Sequence, residues 1–139
     1  MTEHAGRLRA LLFEFEHAAL EARPRDGQWS ALENVRHAFY AEQDHLGRYI
    51  EGGLGLSPMG WPQGPGTPAV FADARPGLSA VFDEWERVHA KVCAGLELTK
   101  PGLDVQLPRL LRHQVAHGRL ACRVLSEIAG RPVRVPRVR

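Results

Sequence analysis

The chain contains no run of apolar residues approaching the ~18 that a membrane-crossing helix needs, so no membrane span is expected. It is short of cysteine, with only Cys93 and Cys122, and these have no CxxC spacing. A disulfide scaffold or a thiolate zinc site is therefore not expected; two buried, reduced thiols are. Lysine is nearly absent, at Lys91 and Lys100 alone, and arginine carries almost all the positive charge. With a formal net charge of +2 there is no electrostatic case for a nucleic-acid partner. The opening MTEHAGRLRALLFEFEH places acids among its apolar residues, unlike a secretory leader. These readings lead to the expectation of a soluble, cytoplasmic protein. At 139 residues the chain suits one domain, spanning 1–139 and able to bury about two-thirds of its surface without stapling.

What is present is helical periodicity. Four segments carry it, and none carries a convincing alternation. The first spans about 3–22, with Leu8, Leu11, Leu12, Phe15, Ala19 and Ala22 as its stripe, and ends at the Arg23-Pro24-Arg25-Asp26-Gly27 break. The second spans about 30–51. Ser30 followed by Glu33 reads as a capping box, Trp29 can staple it from outside, and Gly52-Gly53 stops it. The third spans about 78–98, with Leu78, Val81, Phe82, Trp85, Val88, Val92 and Leu96 on one face. The fourth spans about 108–129, with Pro108 expected in its first turn and Gly130 at its end. Between the second and third lies a Gly- and Pro-rich loop, 52–77, with enough apolar residues to pack onto the rest. The basic tail 131–139 is expected to be frayed and solvated. The fold class that follows is all-α: a four-helix bundle with one long connection.

Histidines carry the chemistry. In the fourth segment Leu107, Leu110, Ala121, Val124, Leu125 and Ile128 face one way, while Arg109, Arg112, Arg119, Arg123 and Glu127 face the other. His113 and His117 fall on the apolar side, one turn apart. Imidazoles at i and i+4 project side by side and can reach one ion at about 2.0–2.1 Å. Burying two such rings without partners is unfavourable, whereas one metal ion satisfies both. The residue after the first histidine is Gln114, where an HExxH peptidase has its glutamate base, so that chemistry is not expected. A third ligand must come from elsewhere. On wheel geometry alone His89, beside Trp85 and Val92, is the most inward candidate. His37 ranks behind it, on a flank shared with Glu33, Tyr40 and Asp44; His4 remains open, and His17 and His45 are expected to be exposed.

Trp29-Ser30-Ala31-Leu32-Glu33 with His37 four residues on resembles the WSxxExxxH signature of the DinB-like family, and the HxxxH of His113 and His117 resembles that family's last bundle helix. The order of segments also matches, over nearly the whole chain. The resemblance implies a four-helix bundle, often a homodimer, holding a divalent ion, zinc or nickel, through His37, His113 and His117. It thereby moves His89 to a fourth or outer partner. Where the family often carries a further histidine or arginine after HxxxH, this chain has Gly118 and Arg119, and Arg119 lies on the polar face. An open three-histidine site is of the catalytic type: it can activate water at neutral pH or take a thiolate. Similar proteins include S-transferases that use low-molecular-weight thiols. Glu33, Tyr40 and Asp44 are the candidate acid or base groups near His37. The expected function is thus a metal-dependent S-transferase or hydrolase on a small molecule. The alternatives are a non-catalytic metal-binding or stress-related bundle, or a helical interaction module.

Overall fold

The computed structural model describes residues 3–62 and 65–137. They form six α-helices and one 3-10 turn: α1 (Glu3–Leu12), α2 (His17–Glu21), α3 (Ala31–Leu46), the 3-10 turn Gly47–Tyr49, α4 (Ala69–Asp73), α5 (Leu78–Gly95) and α6 (Leu103–Ala129). No strand occurs among the described residues, which carry one isolated bridge, Ile50 to Leu96. The fold is a helical bundle, with α1 and α2 together, α3, α5 and α6 as its four positions. The α3–α6 pair forms the most extensive helix interface. No helix among the described residues is long and apolar enough to cross a membrane.

The first expected helix is broken. Backbone bonds tighten at Glu14 and Phe15, whose amides reach only three residues back, and α2 restarts at His17. On an unbroken helix Leu20 would stand about 80° around the axis from Leu12. The break turns both inward, to 2% and 0% exposure. The capping box on α3 forms as read: Ser30 Oγ accepts from the Glu33 amide and Glu33 Oε1 from the Ser30 amide, each at 3.1 Å. This helix ends four to five residues early, because Tyr49 turns into the core and its carbonyl accepts from the Glu97 amide at 2.8 Å. Likewise α5 stops at Gly95.

At the other end, α6 starts five residues before Pro108, which lies within the helix. Gly102, at φ +94°, turns the chain into it, and buried Leu103 and Gln106 anchor the extra turn. The carbonyl that Pro108 cannot serve belongs to exposed Asp104, where water can take the bond. The tail is not wholly solvated. Val133 is buried and its amide donates to Ser126 Oγ at 2.9 Å, while Arg7 donates to the Pro136 carbonyl; residues 138 and 139 lie outside the described residues. Cys122 is buried as expected, but Cys93 is exposed near the end of α5.

Residues Ala31 to Phe39 are buried on every side of α3, because the 52–77 connection covers the face that the bundle leaves open. Arg36 holds it there. Its guanidinium, on a residue only 5% exposed, donates to the carbonyls of Met59 (2.9 Å), Pro58 (2.8 Å), Phe71 (3.3 Å) and Ala74 (3.3 Å). Gly60 lets the loop come this close, since a Cβ there would stand 3.2 Å from Tyr40 Cα.

Candidate metal centre

His37 comes from α3, and His113 and His117 come from α6. Their ring centroids stand 5.1 Å (His37–His113), 4.6 Å (His37–His117) and 4.5 Å (His113–His117) apart. One ring nitrogen of each lies within 4.8 Å of the others. Ligands in a tetrahedral zinc site stand about 3.4 Å apart, from bond lengths of about 2.1 Å. Side-chain rotations of an ångström or so therefore suffice to close the set on one ion.

Two of the rings are oriented from behind. His37 Nδ1 lies 2.9 Å from the Trp61 carbonyl, which can only accept, so Nδ1 carries the proton and Nε2 the lone pair. His117 Nδ1 lies 2.9 Å from Asn34 Oδ1. The Asn34 amide is itself fixed, because Nδ2 donates to the Ser30 carbonyl at 3.0 Å. Thus the residue that caps α3 also sets, through Asn34, the tautomer of a histidine on α6. His113 Nδ1 is buried and has no hydrogen-bond partner among the described residues. His45, half-buried rather than exposed, has its ring 5.9 Å from that of His113, and its Nδ1 is likewise buried without a partner.

Burial, and then the charge of the neighbouring rings, pushes His113 and His117 below the ordinary histidine value of 6.5, His117 to about 4. Burial also lowers His37, against the pull of its bond to Trp61. All three rings are therefore neutral at pH 7. Two fixed Nε2 lone pairs and a buried nitrogen on the third ring, unpartnered among the described residues, are a donor set that suits a divalent cation.

The other expected groups lie as follows. Glu33 is committed elsewhere: both carboxylate oxygens accept from Arg23, at 2.8 and 2.7 Å, and one also accepts from the Ser30 amide. Burial raises its pKa, but the Arg23 and Ser30 hydrogen bonds outweigh that and hold it below the usual range. Tyr40 stacks beside His37 at 6.2 Å; burial and the Asp44 charge raise its pKa, so it stays protonated. Asp44 is exposed. His89 does not join the three histidines. Its Nδ1 pairs with Glu42 at 3.0 Å and its Nε2 lies 3.4 Å from Cys93 Sγ. His17 is exposed and pairs with Glu21. His4 is half-buried and lies over Gly118, where a Cβ would meet it at 2.6 Å.

Arg36, Asn34, Glu42 and Gln114 escape a reading of the sequence. Only Asn34 leaves a signal: it stands three residues before His37, on the same side of the helix. A cleft of about 620 Å³ opens beside the histidines, lined by Trp29, Asn34, His117, Arg25, Arg123 and Leu120 among others. Trp29 forms its inner wall, with its ring 5.0 Å from His37 and 6.1 Å from His117. The model of the family described as the DinB superfamily matches residues 1–120, which include all three histidines. No curated protein and no solved structure matches the chain.

Proposed function

The chain belongs to the DinB superfamily, and on that premise we propose that it binds one divalent metal ion, zinc or nickel, through His37, His113 and His117, and acts on a small molecule. The observation that carries this reading is the convergence of three neutral imidazoles, each offering a ring nitrogen within 4.8 Å of the others, with the buried Nδ1 of His113 unpartnered among the described residues. When bound, such an ion supplies Lewis acidity at a site with positions left open by the protein.

The chain's own residues do the rest. The Trp61 carbonyl and Asn34 hold two rings in their ligating tautomers. Trp29 walls the cleft that leads from solvent to His117. Tyr40, protonated and beside His37, is our candidate for donating a proton; Asp44 can influence it only by charge. We assign Glu33 to capping and to Arg23 rather than to proton transfer. The reactions that suit this arrangement are transfer to or from a low-molecular-weight thiol and hydrolysis of a small molecule.

A second reading keeps the metal and drops the turnover: the ion would brace α3 against α6, across the bundle's main interface. The cleft reaching His117 favours chemistry, because a brace needs no access. We also expect a homodimer.

The test is metal content by mass spectrometry on untagged protein, wild type and His117→Ala. Near-stoichiometric zinc or nickel in the wild type, lost in the variant, is the expected result. A wild-type protein that stays metal-free after incubation with both ions refutes the proposal. If metal binds and no thiol transfer or hydrolysis follows across a substrate screen, the bracing reading replaces the catalytic one.

A further inference from the structure

A second constellation lies away from the three histidines, between α5 and α3. Cys93 and His89 stand one turn apart on α5, with Sγ 3.4 Å from Nε2. His89 Nδ1 lies 3.0 Å from Glu42 Oε2 on α3. Glu42 is only 4% exposed, and its other oxygen accepts from Gln114 on α6 at 3.5 Å. Gln114 is itself held by the Ala38 carbonyl. A carboxylate has no proton to offer, so Nδ1 of His89 donates to it and Nε2 is left to accept from the thiol. The chain thus presents a nucleophile, a base and a group that orients the base, in line and in hydrogen-bond reach.

The buried end of this line is what distinguishes it from a chance surface contact. A carboxylate taken out of water needs hydrogen-bond partners, and His89 and Gln114 supply them. Glu42 therefore fixes the His89 ring with Nε2 turned toward Sγ. The C-terminal end of α5 gives a thiolate no support, because the helix dipole is negative there. Activation of the thiol therefore rests on His89 and Glu42, not on the helix.

We infer that Cys93 is a reactive thiol that exchanges with small disulfides, with His89 as its base and Glu42 as the residue positioning that base. The Cys93 proton passes to His89 Nε2. The thiolate attacks one sulfur of the small disulfide, the disulfide's S–S bond breaks, and a new S–S bond joins that sulfur to Cys93. The other sulfur leaves with the electron pair and takes the proton from His89. Cys93 is oxidised and half of the disulfide is reduced to thiol, so the step balances without a further oxidant. Cys122, the other cysteine, is buried under the tail, so no second surface thiol of the chain stands ready to resolve the mixed disulfide. The adduct should therefore persist until an external thiol removes it.

The test uses the full chain and oxidised glutathione as the small disulfide, with adducts followed by intact-mass spectrometry at pH 7. The wild type should gain one adduct, which Cys93→Ser abolishes and Cys122→Ser leaves in place. His89→Ala should slow adduct formation about threefold or more, Glu42→Gln should slow it less, and free imidazole should restore the rate of His89→Ala while leaving that of the wild type unchanged. A rate in His89→Ala equal to that of the wild type overturns the inference, and so does a slowed rate that imidazole does not restore. An adduct on Cys122 in the wild type overturns it too. A second adduct in His89→Ala would report unfolding of that variant, and Glu42→Gln then decides: a rate equal to the wild type's overturns the inference.

Discussion

Replacing Asn34 with alanine removes one acceptor from behind His117 and leaves the ligand set intact. The Asn34 side chain makes two bonds, accepting from His117 Nδ1 at 2.9 Å and donating to the Ser30 carbonyl at 3.0 Å. Partners of this kind behind ligating histidines typically contribute 10- to 100-fold in metal affinity, or about 1.4–2.8 kcal/mol. The two bonds together contribute on the order of 2 kcal/mol to the stability of the metal-free protein. Asn34→Asp separates the two effects. It retains an acceptor toward His117, with a charge that makes the bond stronger, and loses the donor toward Ser30. Its metal affinity should stay within a few-fold of the wild type, or rise, although its metal-free stability falls. Competition against a chromophoric chelator measures the affinity, and urea titration of metal-free protein measures the stability. If Asn34→Ala binds zinc within twofold of the wild type while losing stability, Asn34 is only a strut, and the argument that it sets the His117 tautomer is wrong.

Arg36→Ala should loosen the 52–77 connection, since the guanidinium donates to carbonyls on both sides of its middle, at Pro58 and Met59 and at Phe71 and Ala74. The expected loss is about 3 kcal/mol or more in urea unfolding, with new protease cleavage inside 52–77. Cleavage unchanged from the wild type would show that the loop is held by its apolar residues instead. For pH, the folded pKa of His117 is about 4, below the ordinary 6.5, so between these values the unfolded chain binds more protons than the folded one. Metal-free stability is therefore full above about pH 6.5, falls as pH drops toward about 4, and loses nothing more from this group below that. Urea midpoints at pH 7.5 and 5 should show the drop, and His117→Ala should reduce it; an equal drop in the variant would count against the assignment.

Much of the fold was written locally. The capping box at Ser30 and Glu33 is a contact between near neighbours, and its two bonds form as the spacing implies. The inward placement of His113 and His117 follows from the 3.6-residue period of one helix. The choice between His37 and His89 was not local. On the wheel His89 is the more inward, and only the resemblance to the family pointed to His37. In the folded chain His37 lies among Trp29, His113 and His117, and the 52–77 connection supplies the Trp61 carbonyl that holds its ring. His89 meets Glu42 from another helix instead.

What the sequence by itself determined, then, is whatever rests on spacing within one element: helix periods, the cap, the glycine stop at Gly130 and the paired histidines. The break at Phe13, the extra turn before Pro108, the ordered tail, the Arg36 clamp and the two lines of polar residues, Ser30–Asn34–His117 and Glu42–His89–Cys93, were decided only by tertiary structure. Each depends on which groups far apart in the chain come to share a desolvated space. There a buried charge or amide must take whatever partner the packing provides, and no local pattern in the chain records that partner in advance.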